Sequence, residues 1–334
     1  MSLAALNSPP LIGLAGAASF ACLPHLETMA LSWTTLKGMS AIAYWLNLIA
    51  VMQPGRIDGA AQEATRMEDQ KKGKEKMTGQ DEMEQLGTGR RGRTLVAPAG
   101  WAFAIWGPIF LGELLMTGSQ LIVPATSPLI PILSQMAAPY ISAQVFQTLW
   151  TASFRPKYKG WWMHISTCML GGTAYSLSRA HAVLARNPRN YNHLQYALFM
   201  LPISLHFGWT TAATLVNLNG GIAMQLNISA KKVALVGHTS ALAATVLGII
   251  VTLTRTAPVF GGVIAWALTA CASGMSTRMA LTKEEDSNRV GIYGAAFQKS
   301  LCTVGAVMNG AASAVAVAML IGVIDKPAGR GAVQ

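Results

Sequence analysis

Fourteen acidic residues serve a chain of 334, and where they fall decides what the chain can become. Eight lie between Asp58 and Glu84, three between Glu284 and Asp286, and Glu27 and Asp325 sit near the ends. From residue 85 to residue 283 there is one carboxylate, Glu113. Such a stretch cannot supply a water-exposed surface. Globular chains carry about 25% charged residues, whereas this one carries 12%, with 52% apolar. The reading is an all-α integral membrane protein, and a soluble enzyme is excluded. The net charge of +11 is what membrane-flanking Lys and Arg produce, so lipids are expected as partners and nucleic acid is not.

A membrane span needs about 20 mostly apolar residues. That ruler gives eight spans: Leu36–Met52, Trp101–Val123, Met136–Phe154, Trp161–Ala180, Leu198–Leu218, Val233–Thr254, Val259–Ala280 and Gln298–Val323. Only helices or closed barrels satisfy their backbone in hydrocarbon. Continuous runs of Gly, Ala and Leu select helices over the short alternating segments of a barrel. The connections after spans 1, 3, 5 and 7, together with Arg278 and Lys299 at the span ends beside the last of them, carry 18 of the 25 basic residues. The long one, residues 54–96, is therefore expected on the cytosolic, matrix or stromal side. Its nine bases and eight acids nearly cancel, which reads as a solvated connector or a docking segment for a partner complex. LGTGRRGR within it lacks the strand-then-helix setting of a phosphate-binding loop.

Four cysteines, Cys22, Cys168, Cys271 and Cys302, show no CxxC spacing. They read as small apolar side chains, so neither a disulfide framework nor a metal site of the protein's own is expected. Residues 1–35 read as an amino-terminal arm. It lacks the basic start of a signal peptide, and AASFACLP resembles the cleavage region of plastid-targeting leaders in algae with complex plastids. An interfacial or partner-contacting arm is the other reading.

Three segments repeat Trp, Pro, Gln and Asn inside spans. They are Pro98–Phe110 (PAGWAFAIWGPIF), Gln144–Phe154 (QVFQTLWTASF) and Leu201–Asn217 (LPISLHFGWTTAATLVN). Together and in this order they resemble the tryptophan-rich sensory protein or translocator protein (TspO/MBR) family, in a longer form with extra carboxy-terminal helices. The resemblance covers roughly residues 95–228. It implies a five-helix bundle over residues 36–228, interrupted by loop 54–96, then three additional helices over 229–325 and a tail, 326–334. Departures are visible. The gap from Trp101 to Trp106 is one residue shorter than in compact members, Gln147 stands for the family Asn, and Ile203 replaces the Tyr after Pro202. The Tyr and Arg of the family's proposed sterol-recognition stretch are absent near Leu218 and Ile222, which puts sterol binding in doubt. What the resemblance implies is an internal pocket, lined by tryptophans, that accepts tetrapyrroles and other flat apolar ligands.

The residues themselves allow such a pocket. Trp106, Trp150 and Trp209 lie inside different spans and can wall one hollow, with indole faces giving rigid contact area. Gln144, Gln147 and Asn217 offer amides for a ligand's polar rim or for joining helices, and Ala213 faces the same region in the family pattern. Trp33, Trp45, Trp101, Trp161 and Trp162 fit interfacial anchors. Glu113, mid-span with no Lys or Arg at its depth, must be paired, protonated or wet. Its readings are a ligand contact, a proton carrier, an oxygen ligand to a magnesium tetrapyrrole, or a protonated acid bonding a neighbouring helix. His164, His206 and His238 are candidate axial ligands for haem or chlorophyll, the alternative being interhelical hydrogen bonds. His206 stands out, three residues before Trp209 on nearly the same helix face.

Two functions follow. The first is a TspO-like sensing or translocating protein that binds a tetrapyrrole (haem, porphyrin or chlorophyll), a carotenoid or a lipid. The second is an accessory or scaffold subunit of a photosynthetic or respiratory supercomplex, in contact with pigments. An organellar membrane, plastid thylakoid or mitochondrial, and a larger complex or homodimer are the expected setting. A transporter is disfavoured by the single intramembrane carboxylate and the absence of an inverted repeat. No nucleophile–base pair or cofactor fingerprint points to an enzyme.

Overall fold

Apolar runs that must satisfy their own backbone form helices, and these do. The computed structural model describes residues 7–53, 56, 93–124, 126–186, 191–225, 227–280 and 294–325. Among them are nine long helices and no strand: α1 Pro9–Thr28, α2 Trp33–Met52, α3 Trp106–Ile122, α4 Ile130–Ser153, α5 His164–Leu184, α6 Leu201–Met224, α7 Ala230–Arg255, α8 Pro258–Ala280 and α9 Ala295–Leu320. Each of the eight expected spans coincides with one of α2 to α9. The ninth helix, α1, occupies the stretch read as an arm.

Seven segments are long and apolar enough to cross a membrane: Pro9–Thr28, Trp33–Met52, Gly100–Ile122, His193–Met224, Ala230–Arg255, Pro258–Ser276 and Ala295–Leu320. The other two helices, α4 and α5, are less apolar for a physical reason. They sit among their neighbours and turn Ser142, Gln144, Gln147, Thr151, Ser166, Thr173 and Ser176 inward, where all are buried.

Local chemistry sets the helix starts. The Ser32 hydroxyl caps α2 by accepting from the Thr35 N–H at 3.1 Å, and Ser229 caps α7 in the same way. Before α6 the Leu201 N–H reaches back five residues to the Tyr196 carbonyl. This widened turn stands where Pro202 has no N–H to continue the regular ladder.

α1 is clasped at both ends. Asn7 donates to the Ala152 carbonyl at 2.9 Å and accepts from the Tyr158 hydroxyl at 2.7 Å. At the other end Arg179 pairs with Glu27 at 2.6 Å. Between these ends Ile12 packs beside Phe146, Trp150 and Phe154. α2 and α3 run antiparallel, with Lys37 bonded to the Leu121 carbonyl and Tyr44 to the Phe110 carbonyl.

α6 is the shared wall of the molecule. It packs on α3 and α5 to one side and on α7 and α8 to the other, while α9 closes against α7 and α8. Small residues permit the close approaches, as in other membrane bundles. A Cβ on Gly208 would meet Val263 at 2.8 Å, and one on Gly274 would meet the Ala97 carbonyl at 2.1 Å. Of the other glycines in the last three spans, Gly248, Gly261 and Gly305 are crowded likewise, whereas Gly262 and Gly310 face open space.

Residues 57–92 of the charged loop lie outside the described residues. Its last residues do not behave as a solvated connector: Thr94, Leu95 and Val96 are buried. Arg278 donates to the Thr94 carbonyl at 2.8 Å, and the Arg93 guanidinium bonds the Ile228 carbonyl at 2.9 Å. The apolar Leu-Val-Ala run explains the change, since it packs with Ala223, Val233 and Met275.

Candidate functional site

The polar residues of four helices meet in one place. Glu113 on α3 is fully buried, and its Oε1 lies 2.6 Å from His206 Nδ1 on α6. Gln144 on α4 donates to Glu113 Oε2 at 3.0 Å. Asn47 on α2 donates in turn to Gln144 Oε1 at 2.6 Å and to Gln147 Oε1 at 3.0 Å. Glu113, Gln144, Gln147, His206 and Asn47 are all wholly buried. Tyr44 and Tyr140 stand within electrostatic reach of the carboxylate. Of the readings open for Glu113, the structure gives hydrogen bonds to an imidazole and an amide. Whichever of the facing atoms carries it, the carboxyl and the imidazole hold a proton between them. The other ring nitrogen, His206 Nε2, is buried without a partner.

Above this network lies an aromatic cluster. Trp106 is centred 6.3 Å from Trp150 and roughly parallel to it, and 6.2 Å from Trp209, edge to face. The Trp106 ring also lies 5.8 Å from the His206 imidazole. Phe103 meets Trp209, Phe110 stacks on Trp106, and Phe154 stacks on Trp150. Arg56 reaches over the Trp150 ring at 5.7 Å. Trp150 and Trp209 are buried and Trp106 only partly so. The indole N–H groups of Trp150 and Trp209 have no acceptor.

The helix period accounts for the convergence. Tyr140, Gln144 and Gln147 follow one another at four and three residues and share a face of α4, as Ser40, Tyr44 and Asn47 do on α2. Trp209 lies three residues beyond His206, so one face of α6 supplies both the imidazole and the indole. The short turn Gly100–Ile105 leads into Trp106 and carries Phe103 into the cluster.

Other expected positions lie apart. Asn217 accepts from Ser166 at 3.3 Å and ties α5 to α6. Ala213 packs beside the Trp150 side of the cluster. His164 sits against Trp161 and close to Gly221. His238 bonds Gln298 at 2.7 Å and meets Phe297. Neither of these histidines joins the three indoles. Trp45, Trp161 and Trp162 are exposed, in keeping with anchors. Trp101 is exposed as well and also meets Trp266 edge to face at 4.6 Å. Asn47, Tyr44 and Tyr140 went unnoticed in the sequence, although polar side chains repeating at helical spacing inside spans are a usable signal.

A family profile described as TSPO-like protein matches residues 79–284. The match runs from α3 through α8 and so includes Trp106, Glu113, Gln144, Trp150, His206 and Trp209. It also takes in α7 and α8, beyond the reach of the motifs themselves. Neither the curated proteins nor the solved structures contain a significant match. Matched over more than half its length, and with seven segments long and apolar enough to cross a membrane among its described residues, the chain belongs to the TSPO-like protein family as an integral membrane protein.

Proposed function

We propose that the protein is an intramembrane receptor for a flat apolar ligand, with a tetrapyrrole as the class the site suits best. One observation carries the reading: indoles from α3, α4 and α6 gather beside a buried carboxylate–imidazole pair with a ring nitrogen to spare. Indole faces suit a macrocycle. An imidazole whose far nitrogen is bonded to a carboxylate is the usual form of a metal-ligating histidine, fixed in tautomer and orientation.

In this reading His206 Nε2 would hold the metal of a bound tetrapyrrole, Glu113 orients the imidazole, and Gln144 and Asn47 hold the carboxylate. A bound metallotetrapyrrole would supply redox or light-absorbing chemistry. The chain's own task is to orient it and exclude water. The rings now touch one another, so Trp106, the least buried of the three, is the wall that moves to admit the ligand and expose His206.

Titration of the detergent-purified protein with protoporphyrin IX tests the reading. The expected result is a shifted Soret band with quenched tryptophan emission, and at least about tenfold weaker binding in Trp209→Ala, as for a buried aromatic anchor. Absence of any spectral response, together with co-migration with a large membrane complex, would favour the scaffold reading instead.

A further inference from the structure

Between α6 and the three carboxy-terminal helices lies a cavity of about 30 Å³. Its walls include Trp209 and Ala212 of α6, Ala244 of α7, Leu268 and Cys271 of α8, and Cys302 of α9. That is room for a water-sized guest and far too little for a flat ring. A buried water needs two to four polar partners, and apart from the Trp209 N–H, which has no acceptor, the polar side chains here are already engaged. Gln298 donates to the Gly237 carbonyl at 3.2 Å and to Cys302 Sγ at 3.7 Å, and its oxygen faces His238 Nδ1 at 2.7 Å. Ser240 accepts from Asn219 at 2.8 Å.

What the cavity does offer is sulfur. Cys271 of α8 and Cys302 of α9 are both buried, and both line it from helices packed against each other. The Gln298 amide bonded to the Cys302 sulfur is the kind of outer contact that accompanies thiolate ligands. The Trp209 indole forms another wall, and an aromatic ring attracts a cation. We infer that Cys271 and Cys302 form a two-sulfur site for a soft monovalent cation of the Cu(I) class.

Ligand chemistry narrows the choice. Thiolates select Cu(I) over the hard cations, which take oxygen. Zinc wants four ligands, and among the described residues no group of three or more His, Cys, Asp or Glu gathers. On binding, one thiol releases its proton to solvent and forms a metal–thiolate bond. The second sulfur donates a lone pair and keeps its proton. The thiolate offsets the cation's charge, so the complex is neutral in an apolar cavity where an unpaired charge would be costly. No electron is transferred. The site shares Trp209 with the aromatic cluster, but its sulfur ligands lie outside that cluster.

The test uses the full chain carrying C22S and C168S, which removes the two exposed thiols. In detergent it is titrated with Ag(I), a redox-inert stand-in, buffered by a competing thiol. The expected result is one Ag(I) per chain with quenched tryptophan emission, and binding weakened at least about a hundredfold by Cys271→Ser or Cys302→Ser. Gln298→Leu, an outer-contact change, weakens it about tenfold. Uptake no greater than background, or unchanged in Cys271→Ser, would overturn the inference. Should the serine variants fail to fold, X-ray absorption on the Ag(I)-loaded parent decides: two sulfur neighbours support the site, and nitrogen or oxygen neighbours refute it.

Discussion

Replacing Glu113 with alanine lowers the stability of the detergent-solubilised protein by about 3–5 kcal/mol, the range for losing one partner of a buried pair. The size follows from what is left behind. His206 Nδ1 loses its hydrogen-bond partner and the Gln144 amide its acceptor, in a place without solvent. An unsatisfied buried group costs about 1–3 kcal/mol, and Asn47 is then bonded to an amide that is no longer held. Glu113→Gln keeps an oxygen and an amide in place, so it costs about 1–2 kcal/mol. Unfolding of the parent and both variants, followed by circular dichroism, checks the order. An alanine variant as stable as the parent would mean that the four helices are not joined through this carboxylate.

His206→Gln separates the two roles of the histidine. Glutamine can still reach Glu113 with an amide, but it brings no imidazole nitrogen toward the indoles. If His206 Nε2 is an axial ligand, haem binding weakens by about a hundredfold or more, since loss of outer contacts alone costs 10- to 100-fold. Metal-free porphyrin, held by the indoles, changes by less than about threefold, under 1 kcal/mol. Parallel Soret titrations with the two ligands give the comparison. Equal losses for both would place the histidine's contribution in structure alone.

Much of this was legible beforehand because lipid imposes simple rules. One carboxylate across two hundred residues forces a membrane fold, and apolar length then gives eight of the nine long helices. Trp106, Trp150 and Trp209 cluster because their spans are adjacent, and three motifs in register pointed to those spans. Glu113 was conspicuous because nothing near it in the chain could neutralise it. Its partners were harder to see. His206 and Gln144 meet it only through the packing of α3 against α6 and α4, and no local pattern encodes which amide of a helix faces a given carboxylate. Asn47 hid for the same reason, on a helix separated from α3 by the long charged loop.

Two other features escaped for different reasons. α1 contains Pro24 and a run of small residues that reads as an arm, and it holds its place through Asn7 and Glu27, contacts more than a hundred residues away in the chain. Cys271 and Cys302 likewise line one cavity only because α8 and α9 lie side by side, which no CxxC spacing could announce.

The receptor reading is tested most directly by letting the ligand mark its own position. Protoporphyrin IX bound to the protein in lipid nanodiscs is illuminated briefly, and oxidised residues are mapped by peptide mass spectrometry. Light generates a short-lived oxidant at the macrocycle, which attacks nearby indoles and imidazoles. The account predicts oxidation concentrated on Trp106, Trp150, Trp209 and His206, with Trp45, Trp161 and Trp162 spared although they are far more exposed. Oxidation concentrated on those exposed rings, with the buried cluster untouched, would contradict it.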